Sequence, residues 1–121
     1  MKLGGIDLSE VEALDKETYL RALAAVRRRR VVRFTFTPSG VVLWGVYSRK
    51  RERLYLVVPG LYCSCAGFAM NVIATGRSNY CYHMVAQKLA EERGEYEEEV
   101  LSDEEYFDFL DRIRRTVVLS G

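Results

Sequence analysis

At 121 residues, 49% hydrophobic and 29% charged, the chain has the size and composition of one folded domain, too short for two and too apolar for disorder. No apolar run approaches the ~18 to 20 residues that cross a bilayer, and the stretch Met1 to Asp7 lacks a signal-peptide core, so a cytoplasmic protein is expected, nucleoid-associated if prokaryotic. The net charge of +1 hides a polarised chain: residues 21–53 carry ten basic side chains against Glu52 alone, and residues 91–111 carry eleven acidic ones against Arg93 alone. Such asymmetry fits two readings, separate faces for an anion and a basic partner, or two segments that neutralise each other inside one fold.

In chain order, Ser9-Glu10-Val11-Glu12 reads as a capping box that opens a short helical turn. Tyr19, Leu20, Leu23, Ala24 and Val26 then recur at helical spacing, which predicts the principal first helix at about 16–29. After Arg30 the period falls to two: Val32, Phe34 and Phe36 alternate with Arg33, Thr35 and Thr37, which suits a pleated strand. Pro38-Ser39-Gly40 makes a turn, Val41 to Ser48 is a second strand, Arg49 to Arg53 a polar connection, and Leu54 to Val58 a third strand closed by Pro59-Gly60. Connections this short favour an antiparallel meander, because parallel neighbours need a crossover of a dozen or more residues.

Phe68 to Ala74 reads as a short helix, and Val85, Ala86 and Leu89 predict a longer one that ends at Gly94. Glu95 to Glu99 resembles a low-complexity connector. Ser102-Asp103-Glu104-Glu105 is a second capping box, followed by Tyr106, Phe109, Leu110 and Ile113 at helical spacing. The expected fold class is α+β: a three-stranded antiparallel β-meander with a metal knuckle and flanking helices, forming a single domain over residues 1–121.

The strongest signal is chemical. All three cysteines and the only histidine lie in one 21-residue window, as Cys63-Ser64-Cys65, fifteen intervening residues, then Cys81-Tyr82-His83. An odd cysteine count cannot close into disulfides alone, and in a reducing compartment metal ligation is the better use of thiols. Three thiolates and one imidazole complete the tetrahedral shell that a structural Zn2+ prefers; an iron–sulfur cluster is a poorer match, since all-cysteine ligation is its common pattern. In an extended segment Cys63 and Cys65 point to one side. Residues two apart diverge by about 200° around a helix, so Cys81 and His83 must straddle a helix start. Ala86, three residues on and on the same face, is small enough to let that helix approach the first pair.

At these residues the sequence resembles the SWIM zinc-finger family, whose motif is CxC, a gap, then CxH. The SWIM subunit of the Shu recombination-mediator complex, with archaeal relatives, extends it to CxHxxA. Here Cys63-Ser64-Cys65-Ala66-Gly67-Phe68 gives CxCxxF and Cys81 to Ala86 gives CxHxxA, so the likeness covers roughly residues 61–90. The resemblance implies one structural zinc on Cys63, Cys65, Cys81 and His83, the preceding strands as part of the module, and work by binding nucleic acid or protein. It further implies a RecA-family paralog as partner in homologous recombination.

Two surfaces would serve such binding. Arg27, Arg28, Arg29, Arg30 and Arg33, with Arg49, Lys50, Arg51 and Arg53, form the densest positive segments and would neutralise DNA phosphates if the helix end and hairpin turn share a side. Single-stranded or branched DNA is expected, because no duplex-reading helix is identifiable. The acidic stretch Glu91 to Asp111, beside Tyr106, Phe107, Phe109 and Leu110, is either a solvated face or a dock for a basic partner, and the apolar content of Tyr106 to Leu119 suits a partner or homo-oligomer interface. The leading expectation is a zinc-binding recombination adaptor; a stand-alone nucleic-acid-binding regulator is the alternative. An enzyme is not expected, since there is no second histidine, no phosphate-cradling glycine loop and no supported carboxylate pair.

Overall fold

A computed structural model describes residues 6–120, with side chains over 6–113. The chain begins with helices α1 (Leu8–Leu14) and α2 (Lys16–Arg27), then strands β1 (Val31–Thr37), β2 (Val42–Tyr47), β3 (Leu54–Val58) and the two-residue β4 (Tyr62–Cys63). A short helix α3 (Ala66–Phe68) runs into a π-helical turn, Ala69–Ala74. Helix α4 (Tyr82–Arg93), strand β5 (Glu97–Ser102), a 3-10 turn (Asp103–Glu105) and helix α5 (Tyr106–Ser120) complete it. The class is α+β. Among the described residues no helix is long and apolar enough to cross a membrane.

The sheet is larger than the expected meander and mixed rather than purely antiparallel. Its order is β4-β3-β2-β1-β5. The first four strands are antiparallel neighbours, but β5 lies parallel to β1, with Val32 opposite Glu97 and Phe36 opposite Leu101. The crossover that a parallel pair requires is the whole stretch from β2 through α4. Glu95 to Glu99 is therefore no connector but leads into an edge strand. Its glutamates are tolerated because Glu97 and Glu98 meet Arg29 and Arg33 instead of a core.

Both faces of the sheet are covered. On one side α4 packs over the sheet in a core that contains Val31, Trp44, Val46, Tyr55 and Val57, and α2 and α1 pack against α4. On the other, Phe109 and Ile113 of α5 pack over Val32, Phe34, Phe36 and Leu54. The period-2 pattern of β1 thus feeds two cores, Val31 into the first and Val32, Phe34 and Phe36 into the second. Trp44 meets Tyr96 edge-on at 4.9 Å. Gly45 is required by the second core: a Cβ there would lie 2.8 Å from Leu54 Cδ1 and 2.9 Å from Phe34 Cε2.

Caps set the helix ends. The first helix is capped by Asp7, whose Oδ1 accepts from the backbone N–H of Ser9 at 3.0 Å and of Glu10 at 3.3 Å, so the Ser9 box does not form. A carboxylate two residues earlier captures the same orphan donors first. The second box is present: Glu105 Oε1 accepts from the Ser102 N–H and hydroxyl, each at 3.1 Å. Gly94 takes the left-handed conformation, φ 67°, that ends α4. Helix α2 stops at Arg27, short of residue 29, because Arg29 already has φ 58° and turns the chain into β1.

Candidate metal centre

The four-residue cluster is assembled from both ends of the fold. Cys63 closes β4, opposite Val57 of β3, and is 1% exposed. Ser64 fixes the knuckle that follows: its N–H donates to Leu56 O at 3.0 Å and its Oγ accepts from Leu56 N–H at 2.9 Å. That double tie to one residue of β3 turns Cys65 inward, where it caps α3 with its Sγ accepting from Phe68 N–H at 3.3 Å. Cys81 is the N-cap of α4 in an extended conformation, and His83 sits in the first turn. The pair straddles the helix start, as two ligands two residues apart must.

The ligand atoms of Cys63, Cys65, Cys81 and His83 all lie within 4.8 Å of one another, and Cys81 Sγ is 3.8 Å from His83 Nδ1. A tetrahedron with Zn–S bonds of about 2.3 Å has edges of about 3.8 Å, so a small inward adjustment closes the shell. All three cysteines are free thiols. Cys63, Cys65 and His83 are buried, Cys81 is half-buried, and Ala86 is fully buried one turn along α4 from His83. The His83 ring lies between Tyr82, at 4.1 Å, and Tyr55, at 4.7 Å. The donor set and spacing fit one zinc ion.

The electrostatics show why the cluster suits a dication. Cys65 is held well below the ordinary thiol range, first by the Cys63 thiol, then by Cys81, with His83 adding to it. Cys63 is pushed far up by its proton's bond to Cys65, by Cys81 and by burial. Cys81 is drawn down by Cys63, but the Cys65 contact and burial outweigh this and push it up to about 12. One thiolate therefore forms, and it is solvated by the protons of the other two sulfurs. Full ionisation of three buried sulfurs needs a bound cation.

The basic segments divide three ways. Arg29 pairs with Glu97 at 3.0 Å and Arg33 with Glu98 at 2.5 Å, so part of the charge asymmetry is neutralised internally. Glu98 also raises the Arg33 pKa above its ordinary value. Arg51 Nη2 donates to the carbonyls of Arg28 and Arg29, at 3.1 and 2.9 Å, which ties the β2–β3 turn to the end of α2. That tie puts the helix end and hairpin turn on one side of the domain. Arg27, Arg28, Arg49 and Lys50 are exposed and Arg53 is half-buried. Arg30 departs from the expected solvated cluster: it is 4% exposed, beneath the surface, because its guanidinium donates to Tyr47 O and Tyr82 Oη.

The acidic-side anchors also separate. Phe109 is buried against Phe34 and Phe36, and Tyr106 packs on Phe36, so these serve the fold and not a partner. Phe107 is exposed. The side chains of residues 114–119, included in the expected interface, lie outside the described residues. Sequence reasoning did not single out Tyr82 as a site residue, although its position inside Cys-x-His guarantees it a place against the ligand ring.

A strand end that offers Cys-x-Cys and a helix start that offers Cys-x-His define a closed zinc-knuckle module, and the pattern fits the CxC…CxH motif of SWIM zinc fingers. The chain is 28% identical over 104 residues to the zinc finger SWIM domain-containing protein 7 homolog of Dictyostelium discoideum. The alignment takes in 86% of this chain and 62% of that relative, so the chain spans under two-thirds of the relative's length. No family model and no solved structure matches the chain.

Proposed function

We propose that this protein is a zinc-braced adaptor of homologous recombination that acts in the cytoplasm by association, binding a RecA-family paralog and DNA. The observation that carries the reading is the Cys3His cluster at the junction of β4 and α4, with three of its four members buried and Cys81 half-buried. Four protein donors leave a zinc ion no open position for substrate, so the ion braces the fold and the only histidine is consumed in doing so. Association, not catalysis, is the role that such a site leaves to the rest of the surface. The likeness to a SWIM domain-containing relative supports the same class.

The exposed Arg27, Arg28, Arg49 and Lys50 favour a nucleic-acid contact within this role. They also keep in play the second reading, a stand-alone nucleic-acid-binding regulator. Affinity capture with the zinc-loaded protein in its native host separates the two. The adaptor reading expects a RecA-family ATPase recovered in near-stoichiometric amount, and it fails if the protein recovers only itself.

A further inference from the structure

Arg30 is a buried cation. Its side chain is 4% exposed, Nη1 donates to Tyr47 O at 3.1 Å and to Tyr82 Oη at 3.4 Å, and Nε has no hydrogen-bond partner. No carboxylate among the described residues lies within ion-pair distance of it. Of the two acids that border the surrounding hollows, Glu17 pairs with Arg21 at 3.6 Å and Glu52 is exposed. Two neutral oxygens and the Tyr82 ring, whose centroid is 5.9 Å from the guanidinium carbon, do not replace the full hydration that a guanidinium loses on burial, so the fold holds this charge in a place where an anion is missing.

That place opens on a trough. One hollow of about 560 Å3 is lined by Arg21, Arg28, Arg30, Arg49 and Tyr82, and a second of about 800 Å3 by Arg28, Arg49, Lys50, Tyr82 and His83. The two meet at Arg28, Arg49 and Tyr82. Cations thus line both ends, and the half-buried Tyr82 ring, backed by His83 at 4.1 Å, lies between them. Glu17 and Glu52 are the acidic groups on the rim, and both are exposed.

We propose that this trough, between the end of α2, the β2–β3 turn and the start of α4, binds the phosphodiester backbone of single-stranded nucleic acid, with Arg30 facing a central phosphate. The proposal rests on the nucleic-acid part of the function proposed above and assigns it a site. Guanidinium groups match phosphate oxygens in geometry as well as charge. An extended trough with cations at both ends takes successive phosphates better than one isolated anion. The half-buried Tyr82 ring, with the Arg30 guanidinium over it at 5.9 Å and His83 at 4.1 Å, offers its remaining exposed part to an unpaired base without regard to sequence, and a duplex has no free base face to offer it.

The test uses the zinc-loaded full chain, labelled with 15N, and three probes: a fluorescein-tagged dT20, inorganic phosphate and a phosphoserine peptide. The proposal expects dT20 to bind, with the Arg30 Nε–H and Tyr82 amide signals shifting as it saturates. Neutralising three to four phosphates on a single strand weakens binding about 20- to 50-fold between 50 and 200 mM salt. The double variant R28A/R49A changes only exposed side chains and should keep its zinc and its circular dichroism while losing at least about tenfold in dT20 affinity. Binding of dT20 that leaves Arg30 and Tyr82 unmoved overturns the site but not the wider reading. Binding of phosphate or the peptide at Arg30 with none of dT20 overturns the single-strand assignment. No binding of any probe overturns the site outright, and capture of the RecA-family partner then decides whether the adaptor reading survives.

Discussion

Replacing Phe109 by alanine asks whether the aromatic residues of α5 belong to the core or to a partner interface. Phe109 is 3% exposed, with its ring 4.6 Å from Phe34 and 5.4 Å from Phe36. Phe34 and Phe36 project from β1 on the face opposite the metal knuckle, and Phe109 is the largest side chain that α5 buries against them among the described residues. Its removal leaves a cavity between a helix and a sheet that cannot close without shifting both. The cost is about 3 to 5 kcal/mol, a large share of the stability of a domain this size. Urea unfolding followed by far-ultraviolet circular dichroism and Trp44 fluorescence measures it directly. Zinc content should stay at about one per chain, because the cluster lies across the sheet. Phe107, 78% exposed, is the control, and its replacement by alanine should change stability by no more than about 0.5 kcal/mol. A Phe109→Ala loss below about 1 kcal/mol would refute the packing of α5 on the sheet and return Phe109 to the pool of partner anchors.

Other consequences are open to measurement. Gly45→Ala forces a methyl against Leu54 and Phe34, at 2.8 and 2.9 Å, and should cost about 1 to 3 kcal/mol by the same unfolding assay; a neutral result would mean the face is loosely packed. Because Cys63 and Cys81 are raised, they hold their protons at neutral pH in the metal-free protein, whereas the lowered Cys65 does not. Zinc loading at pH 7 should therefore release about two protons, and affinity should fall about a hundredfold for each unit the pH drops. Calorimetry in buffers of different ionisation enthalpy counts them, and a release near zero or three contradicts the assignment. The double variant E17Q/E52Q removes the two exposed acids on the rim of the trough, so dT20 affinity at low salt should rise about twofold or more with the fold intact; unchanged affinity would place the nucleic acid away from the trough.

How far the sequence foretold the fold depends on what kind of force sets each element. Strand β3 was legible to the residue, Leu54–Val58, because β-rich residues and turn formers bound it on both sides. The four ligands were legible because metal chemistry restricts which residues can serve and at what spacing. Strand β5 was not. Glu97-Glu98-Glu99 carries no alternation and reads as solvated polymer; only its partner strand and the turn that precedes it, sixty-odd residues away in the chain, supply the arginines that neutralise it. The same distance effect hid Arg30, indistinguishable in sequence from its three neighbours. Its burial follows from the turn at Arg29, φ 58°, and from the acceptors Tyr47 O and Tyr82 Oη, neither adjacent to it. The choice of Asp7 over Ser9 as the first cap was a competition between two adequate capping residues, which spacing alone does not decide.

The measurement that bears most directly on the whole account is zinc K-edge X-ray absorption on the purified protein, with metal content determined alongside. One zinc per chain with three sulfur neighbours at about 2.3 Å and one nitrogen at about 2.0 Å is the result expected of Cys63, Cys65, Cys81 and His83. A protein that stays folded and metal-free, or a zinc shell that contains oxygen or fewer than three sulfurs, would contradict it.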